Sequence, residues 1–155
     1  MANEREPAAG AQGGCLCGAI RYRVTRPIEK LILCHCTDCQ KASATGASVN
    51  AVIPSDRFEI VQGTPKVFSR VVDSGNTLHR AFCGDCGSPI YTRRANAPQV
   101  TVLKVGTLDA PIAMKVAMNI WTDSARPWMH IDTTLENHPK GRPVPPAAPP
   151  AASSA

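Results

Sequence analysis

The chain has 155 residues, is 43% hydrophobic and 19% charged, and carries a net charge of +5. That is the size and mixture of one ordinary globular domain, which excludes a disordered or fibrous chain. Its longest aliphatic-and-cysteine run, Leu31–Cys34, is four residues against the ~18 of a membrane span. Glu4, Arg5 and Glu6 stand where a signal peptide would be turning apolar, so a cytoplasmic protein is expected, with no membrane as partner. Basic residues are scattered and aromatics are only 5%, so nucleic acid is not an expected partner either.

Residues 1–12 show neither helical nor strand periodicity and read as a disordered N-terminal tail. From Ala19 to Thr25 the chain alternates, with Ile20, Tyr22 and Val24 on one face and Arg21 and Arg23 on the other, the pattern of a half-buried strand. The one helix predicted covers residues 37–44, where Thr37 is the candidate cap and β-branched residues are few. Further strands are predicted over 48–53, 57–61, 66–71, 77–82, 89–93, 100–105 and 114–120. Turn signals at Pro54, Gly63, Gly75 and Pro98 punctuate them. Residues 139–155 are rich in proline and alanine, favour extended polyproline, and read as a disordered C-terminal tail. The expectation is a single, mainly β domain over residues 13–138.

Seven cysteines without an expected export signal argue against a disulfide scaffold. They fall into three groups: Cys15-Leu-Cys17, Cys34-His-Cys36-Thr-Asp-Cys39 and Cys83-Gly-Asp-Cys86. In an extended segment, residues two apart point to the same side, so each C-x-C offers both sulfurs to one point. A C-x₂-C turn does the same by folding back, with Gly84 and Gly87 tolerating the tight geometry. Zinc is the default metal for thiolates at these spacings, with an iron–sulfur cluster as the alternative.

Closed structural zinc takes four protein ligands, whereas catalytic zinc keeps three and an open position. Seven divides as 4 + 3: Cys15, Cys17, Cys83 and Cys86 as one set, Cys34, Cys36 and Cys39 as the other. His35 lies between two ligand cysteines, and strand alternation aims it away from their metal, so it is expected to pack or hydrogen-bond beside the site. His79, His130 and His138 lack partners at ligand spacing. Three thiolates on Zn²⁺ make a net −1 centre, which suits another thiol as the fourth ligand. The residues alone thus lead to zinc-assisted chemistry on a small thiol.

The order Gly14-Cys-Leu-Cys-Gly18, Cys34-His-Cys-Thr-Asp-Cys-Gln40, Arg80-Ala-Phe-Cys-Gly-Asp-Cys-Gly-Ser-Pro-Ile-Tyr91 resembles the glutathione-dependent formaldehyde-activating enzyme family. That family shares its domain with centromere protein V. Gly106-Thr-Leu-Asp109 and Ile120-Trp-Thr-Asp-Ser-Ala-Arg-Pro-Trp128 look like its C-terminal portion. The resemblance implies an Mss4-like fold, with antiparallel sheets built around two zinc-thiolate sites. It implies structural zinc on Cys15, Cys17, Cys83 and Cys86, and catalytic zinc on Cys34, Cys36 and Cys39. It also implies a carbon–sulfur lyase resembling S-hydroxymethylglutathione synthase, which joins glutathione to formaldehyde. Ser43-Ala-Thr45 stands where relatives often have a Ser-Gly pair, and Asn119 where many carry histidine. Glutathione bears two carboxylates, so cations are expected near the open position; Lys41, Arg80, Arg93 and Arg94 are the candidates. The alternative is a non-catalytic, zinc-stabilised binding module in which both metals are structural.

Overall fold

The computed structural model describes residues 10–110 and 114–142; most of the two expected tails, 1–9 and 143–155, lies outside the described residues. In chain order the strands are β1 (Gln12–Gly14), β2 (Arg21–Val24), β3 (Leu31–Cys34), β4 (Ser48–Pro54), β5 (Phe58–Gln62), β6 (Lys66–Val71), β7 (Thr77–Phe82), β8 (Pro89–Arg94), β9 (Ala97–Lys104), β10 (Val116–Ile120) and β11 (Glu136–His138). One helix, α1 (Thr37–Ser43), interrupts them. The order β1-β2-β5 makes a small sheet, and β11-β10-β3-β4-β9-β8-β7-β6 makes a large one. No helix of the described residues is long and apolar enough to cross a membrane.

The small sheet is antiparallel, as expected, but the large one is mixed: β10 runs parallel to both β3 and β11. A parallel pair needs a long crossover rather than a hairpin, and β3 and β10 are separated by most of the domain. Three strands went unpredicted. β3 is a continuous apolar run with no period of two, β1 is glycine-rich, and β11 reads Glu-Asn-His. Gly13 in β1 is required by close approach, since a Cβ there would lie 2.3 Å from the Tyr22 hydroxyl and from the Thr107 carbonyl oxygen.

The two sheets close on a common core. Ile20, Tyr22, Val24 and Phe58 from the small sheet and its approach pack against Ala51, Ile53, Ile90 and Leu103 of the large one. Phe58 joins the layers, with its ring 5.3 Å from that of Tyr22 and 5.1 Å from that of Tyr91. The ordered body extends past both expected edges. Val24 N–H bonds the Ala11 carbonyl at 2.8 Å, and Trp121 N–H bonds that of Lys140 at 2.9 Å.

The opposite face of the large sheet positions the chemistry. Register places Phe68, Arg80, Thr92, Val102 and Val52 side by side across β6, β7, β8, β9 and β4. Cross-strand partners share a face. Two residues further along, Lys104 opposes Asn50 and Asn50 opposes Ile32, with Cys34 ending β3 on the same side. The first turn of α1 is tied across to β6 by an ion pair between Asp38 and Arg70 at 3.1 Å.

Candidate metal centres

The first group of sulfurs gathers where the β1–β2 connection meets the knuckle between β7 and β8. Cys15, Cys17, Cys83 and Cys86 lie with their sulfurs within 4.8 Å of one another. The Cys15–Cys17 and Cys17–Cys83 separations are 3.5 and 3.7 Å. A tetrahedral ion with metal–sulfur bonds near 2.3 Å requires sulfurs about 3.8 Å apart, so the set fits zinc. Cys15-Leu-Cys17 is presented by a turn rather than by the extended segment expected, with Gly18 N–H bonded to the Cys15 carbonyl at 3.1 Å. Of the two glycines expected to serve the second knuckle, Gly87 takes a positive φ of 77° and Gly84 does not.

Hydrogen bonds already prepare Cys15, Cys83 and Cys86 to carry negative charge. Ile20 N–H donates to Cys15 Sγ at 3.2 Å and Asp85 N–H to Cys83 Sγ at 3.4 Å. The Ser88 hydroxyl lies 3.2 Å from Cys86 Sγ, and its hydrogen bond, with backbone N–H groups of Ser88 and Cys17, lowers the Cys86 thiol to about 5. A coordinating thiol must lose its proton, so such bonds favour the ligating form.

The second group comprises Cys34, Cys36 and Cys39, whose sulfurs also lie within 4.8 Å of one another. β3 delivers Cys34 and α1 delivers the other two. The helix cap is Cys36 rather than the expected Thr37: its sulfur accepts from Cys39 N–H at 3.3 Å. Among the described residues no histidine or carboxylate joins this set, so its donors fit an ion that keeps one position free. Hydrogen bonding from Cys34 and Cys36, then the charges of Lys104 and Arg80, hold the Cys39 thiol far below its usual value. The neighbouring sulfurs push Cys34 upward in return.

His35 is fully buried and faces away from the sulfurs, as alternation required. Its Nε2 meets Asn119 Oδ1 at 2.9 Å, Asn119 Nδ2 donates to Asn137 Oδ1, and Asn137 Nδ2 donates to the carbonyls of Asp132 and Leu135. Those carbonyls fix the amide orientations in turn, so His35 carries its proton on Nε2, and Nδ1 is buried without a partner. Gln40 braces the same loop by donating to the His35 and Ser124 carbonyls while Arg126 donates to its Oε1. His79 and His138 instead meet Ser69 and Glu136.

Of the expected cations, Arg80 faces a cavity beside the three-cysteine set, shared with Ala42, Phe68, Thr92 and Lys104. Ala42 follows Cys39 by three residues on α1, which places both on one helix face. Arg93 is spent elsewhere, 4.9 Å over the Tyr91 ring and donating to Thr101, while Lys41 and Arg94 are exposed. Lys104 was missed. Its ammonium donates to Asn50 Oδ1 at 2.7 Å and Ser48 Oγ at 3.1 Å, and burial holds its pKa down. The available signal was a lone charge closing the otherwise uncharged strand Val100–Lys104.

Residues 10–124 match the family model described as "Glutathione-dependent formaldehyde-activating enzyme". Two curated relatives are each named "Putative glutathione-dependent formaldehyde-activating enzyme". The one from Sordaria macrospora is 33% identical over 76 residues, which is 49% of this chain and 31% of that protein. The one from Penicillium rubens is 31% identical over 87 residues, 55% of this chain and 44% of that protein. The chain therefore spans less than half the length of these relatives. A crystal structure of a Rhodobacter sphaeroides protein superposes with a TM-score of 0.54 at 19% identity, over 66% of this chain and 91% of that one, a likeness of fold. With the family model covering well over half of its residues, the chain belongs to the glutathione-dependent formaldehyde-activating enzyme family.

Proposed function

We propose that this chain is a zinc-dependent carbon–sulfur lyase that joins glutathione, or a similar thiol, to formaldehyde or a related small aldehyde. The observation that carries the reading is the division of seven sulfurs into a set of four and a set of three, the latter with no fourth donor among the described residues. Cys15, Cys17, Cys83 and Cys86 would hold a structural zinc. Cys34, Cys36 and Cys39 would hold the catalytic one. When bound there, zinc supplies a free position for a thiol and favours its thiolate at neutral pH.

The chain's own residues then orient and hold charge. Cys34, Cys36 and Cys39 are fixed by a strand end, a helix cap and a helix turn. The His35–Asn119–Asn137 chain keeps the loop between them from shifting. Lys104 and Arg80 offset the negative charge that builds up at sulfur. In the forward direction a carbon–sulfur bond forms, the carbonyl π pair moves to oxygen, and that oxygen takes the proton the thiol gave up. Cleavage of the adduct is the same path reversed. The proposed location is the cytoplasm; seven free thiols support that reading, because a reducing milieu keeps thiols available as ligands.

The test follows adduct formation from glutathione and formaldehyde by NMR exchange spectroscopy, because the uncatalysed reaction also proceeds. Zinc-loaded protein should accelerate exchange in both directions, and Cys39→Ser should abolish the acceleration while retaining the fold. Exchange at the spontaneous rate in the presence of fully loaded protein would refute the proposal.

A further inference from the structure

The cavity beside the three-cysteine set has a volume of about 190 Å³ and opens between α1 and the outer face of the large sheet. Three of its features ask for a ligand. Arg80 forms no ion pair or side-chain hydrogen bond among the described residues, although it lines the cavity. Lys104 lines the same space near enough for the two charges to repel one another, and no carboxylate of the described residues answers either. Thr92 lies directly opposite Arg80 in the β7–β8 register. It is only 6% exposed, and its Oγ1 is buried without a hydrogen-bond partner. Around these polar groups Phe68 and Phe82 supply apolar walls.

Arg80, without a side-chain partner among the described residues, and the unpartnered Thr92 hydroxyl share one wall with Lys104, an arrangement that an anion would complete. A carboxylate has the right valence: its two oxygens accept from a guanidinium fork, an ammonium and a hydroxyl at once. We propose that this cavity recognises the carboxylate of an incoming thiol, with Arg80, Lys104 and Thr92 as specificity-determining residues. The adjacent sulfur centre then accepts carboxylate-bearing thiols ahead of neutral or cationic ones. This deepens the function proposed above and rests on it for the sulfur end of the ligand only; the carboxylate end stands on the cavity itself.

The experiment therefore has two arms. In the first, zinc-loaded protein is titrated with propionate, which has no sulfur, while NMR follows the Arg80 Nε–H and the Thr92 methyl group. In the second, cobalt-substituted protein is titrated with 3-mercaptopropionate, 2-mercaptoethanol and cysteamine, with binding read from the cobalt absorption spectrum. Both arms are run on the parent, on Arg80→Gln, which removes no internal partner, and on Thr92→Val, which keeps shape and fold. Propionate should shift both parent signals and leave the Thr92 methyl signal unmoved in Arg80→Gln, which lacks the other. Arg80→Gln should weaken 3-mercaptopropionate roughly tenfold or more, and Thr92→Val several-fold, with 2-mercaptoethanol changed less than about twofold. Equal weakening of the charged and neutral thiols would mean that the cations serve only the sulfur centre, and would overturn the proposal. So would a parent that ranks the three thiols alike or ignores propionate. If propionate binds as expected but no thiol perturbs cobalt, the lyase reading fails and the carboxylate pocket stands.

Discussion

Replacing Cys83 by serine tests the proposed division into a structural and a catalytic metal site. Cys83 is 1% exposed and belongs to the hydrophobic core, and its sulfur lies 3.7 Å from that of Cys17, 66 positions away in sequence. The ion proposed for these sulfurs would close that loop, and opening it would return to the unfolded chain about 4 kcal/mol of entropy on the loop-closure model. For a protein of this size each kcal/mol moves Tm by about 2–4 °C, so Cys83→Ser should lower Tm by roughly 8–16 °C. Cys39→Ser opens only the short loop back to Cys34, which β3 and α1 already hold, for about 2 kcal/mol at most by the same model. Thermal unfolding by circular dichroism, with zinc in excess and again after chelation, measures both losses. The parent should lose on chelation at least what Cys83→Ser loses in zinc. Equal losses in the two variants, or a parent whose Tm ignores the chelator, would refute the division of the sulfurs into structural and open sets.

Three further outcomes are expected. Metal analysis of loaded protein should find two zinc ions per chain, the one on Cys34, Cys36 and Cys39 leaving first to a chelator; one ion per chain would contradict the 4 + 3 partition. Asn119→Ala strips partners from buried His35 and from Asn137 and should cost roughly 2–4 kcal/mol in urea unfolding, whereas a loss below about 0.5 kcal/mol would deny that chain of amides a bracing role. Asp109 is hydrogen-bonded by Arg21, which holds its carboxyl below the ordinary aspartate value. A lowered folded value stabilises above the ordinary range and ceases to as pH falls through the folded value. The stability gap between parent and Asp109→Asn should therefore be open at neutral pH and close in acid; a gap independent of pH would contradict the ion pair.

Strands whose one face is buried and whose other is wet announce themselves by alternation, and β2, whose burial alternates from Tyr22 to Val24, lies within the residues its pattern predicted. β3 could not be found that way, because a central strand with apolar residues on both faces has no alternation. β1 and β11 are recruited by neighbours rather than by their own propensity: Tyr22 covers Gly13, and Asn119 meets Asn137. The antiparallel expectation failed at β10 because strand direction depends on how the chain returns across the sheet, which local sequence does not encode.

The sequence by itself determined which sulfurs fall together locally. C-x-C and C-x₂-C spacings bring sulfurs together within a few residues, and the ligand count predicts one set of four and one of three, although the meeting of Cys17 with Cys83, 66 positions away, is tertiary. What surrounds the open set was decided by tertiary structure. Lys104, Arg80 and Thr92 lie on three strands, β9, β7 and β8, and meet near α1 only because the strand register aligns them. Arg93 was indistinguishable from Arg80 as a candidate until strand packing put it against the Tyr91 ring. Sequence proximity sets which side chains share a turn, whereas a pocket's charge is the sum of long-range pairings that exist only once the sheet has formed.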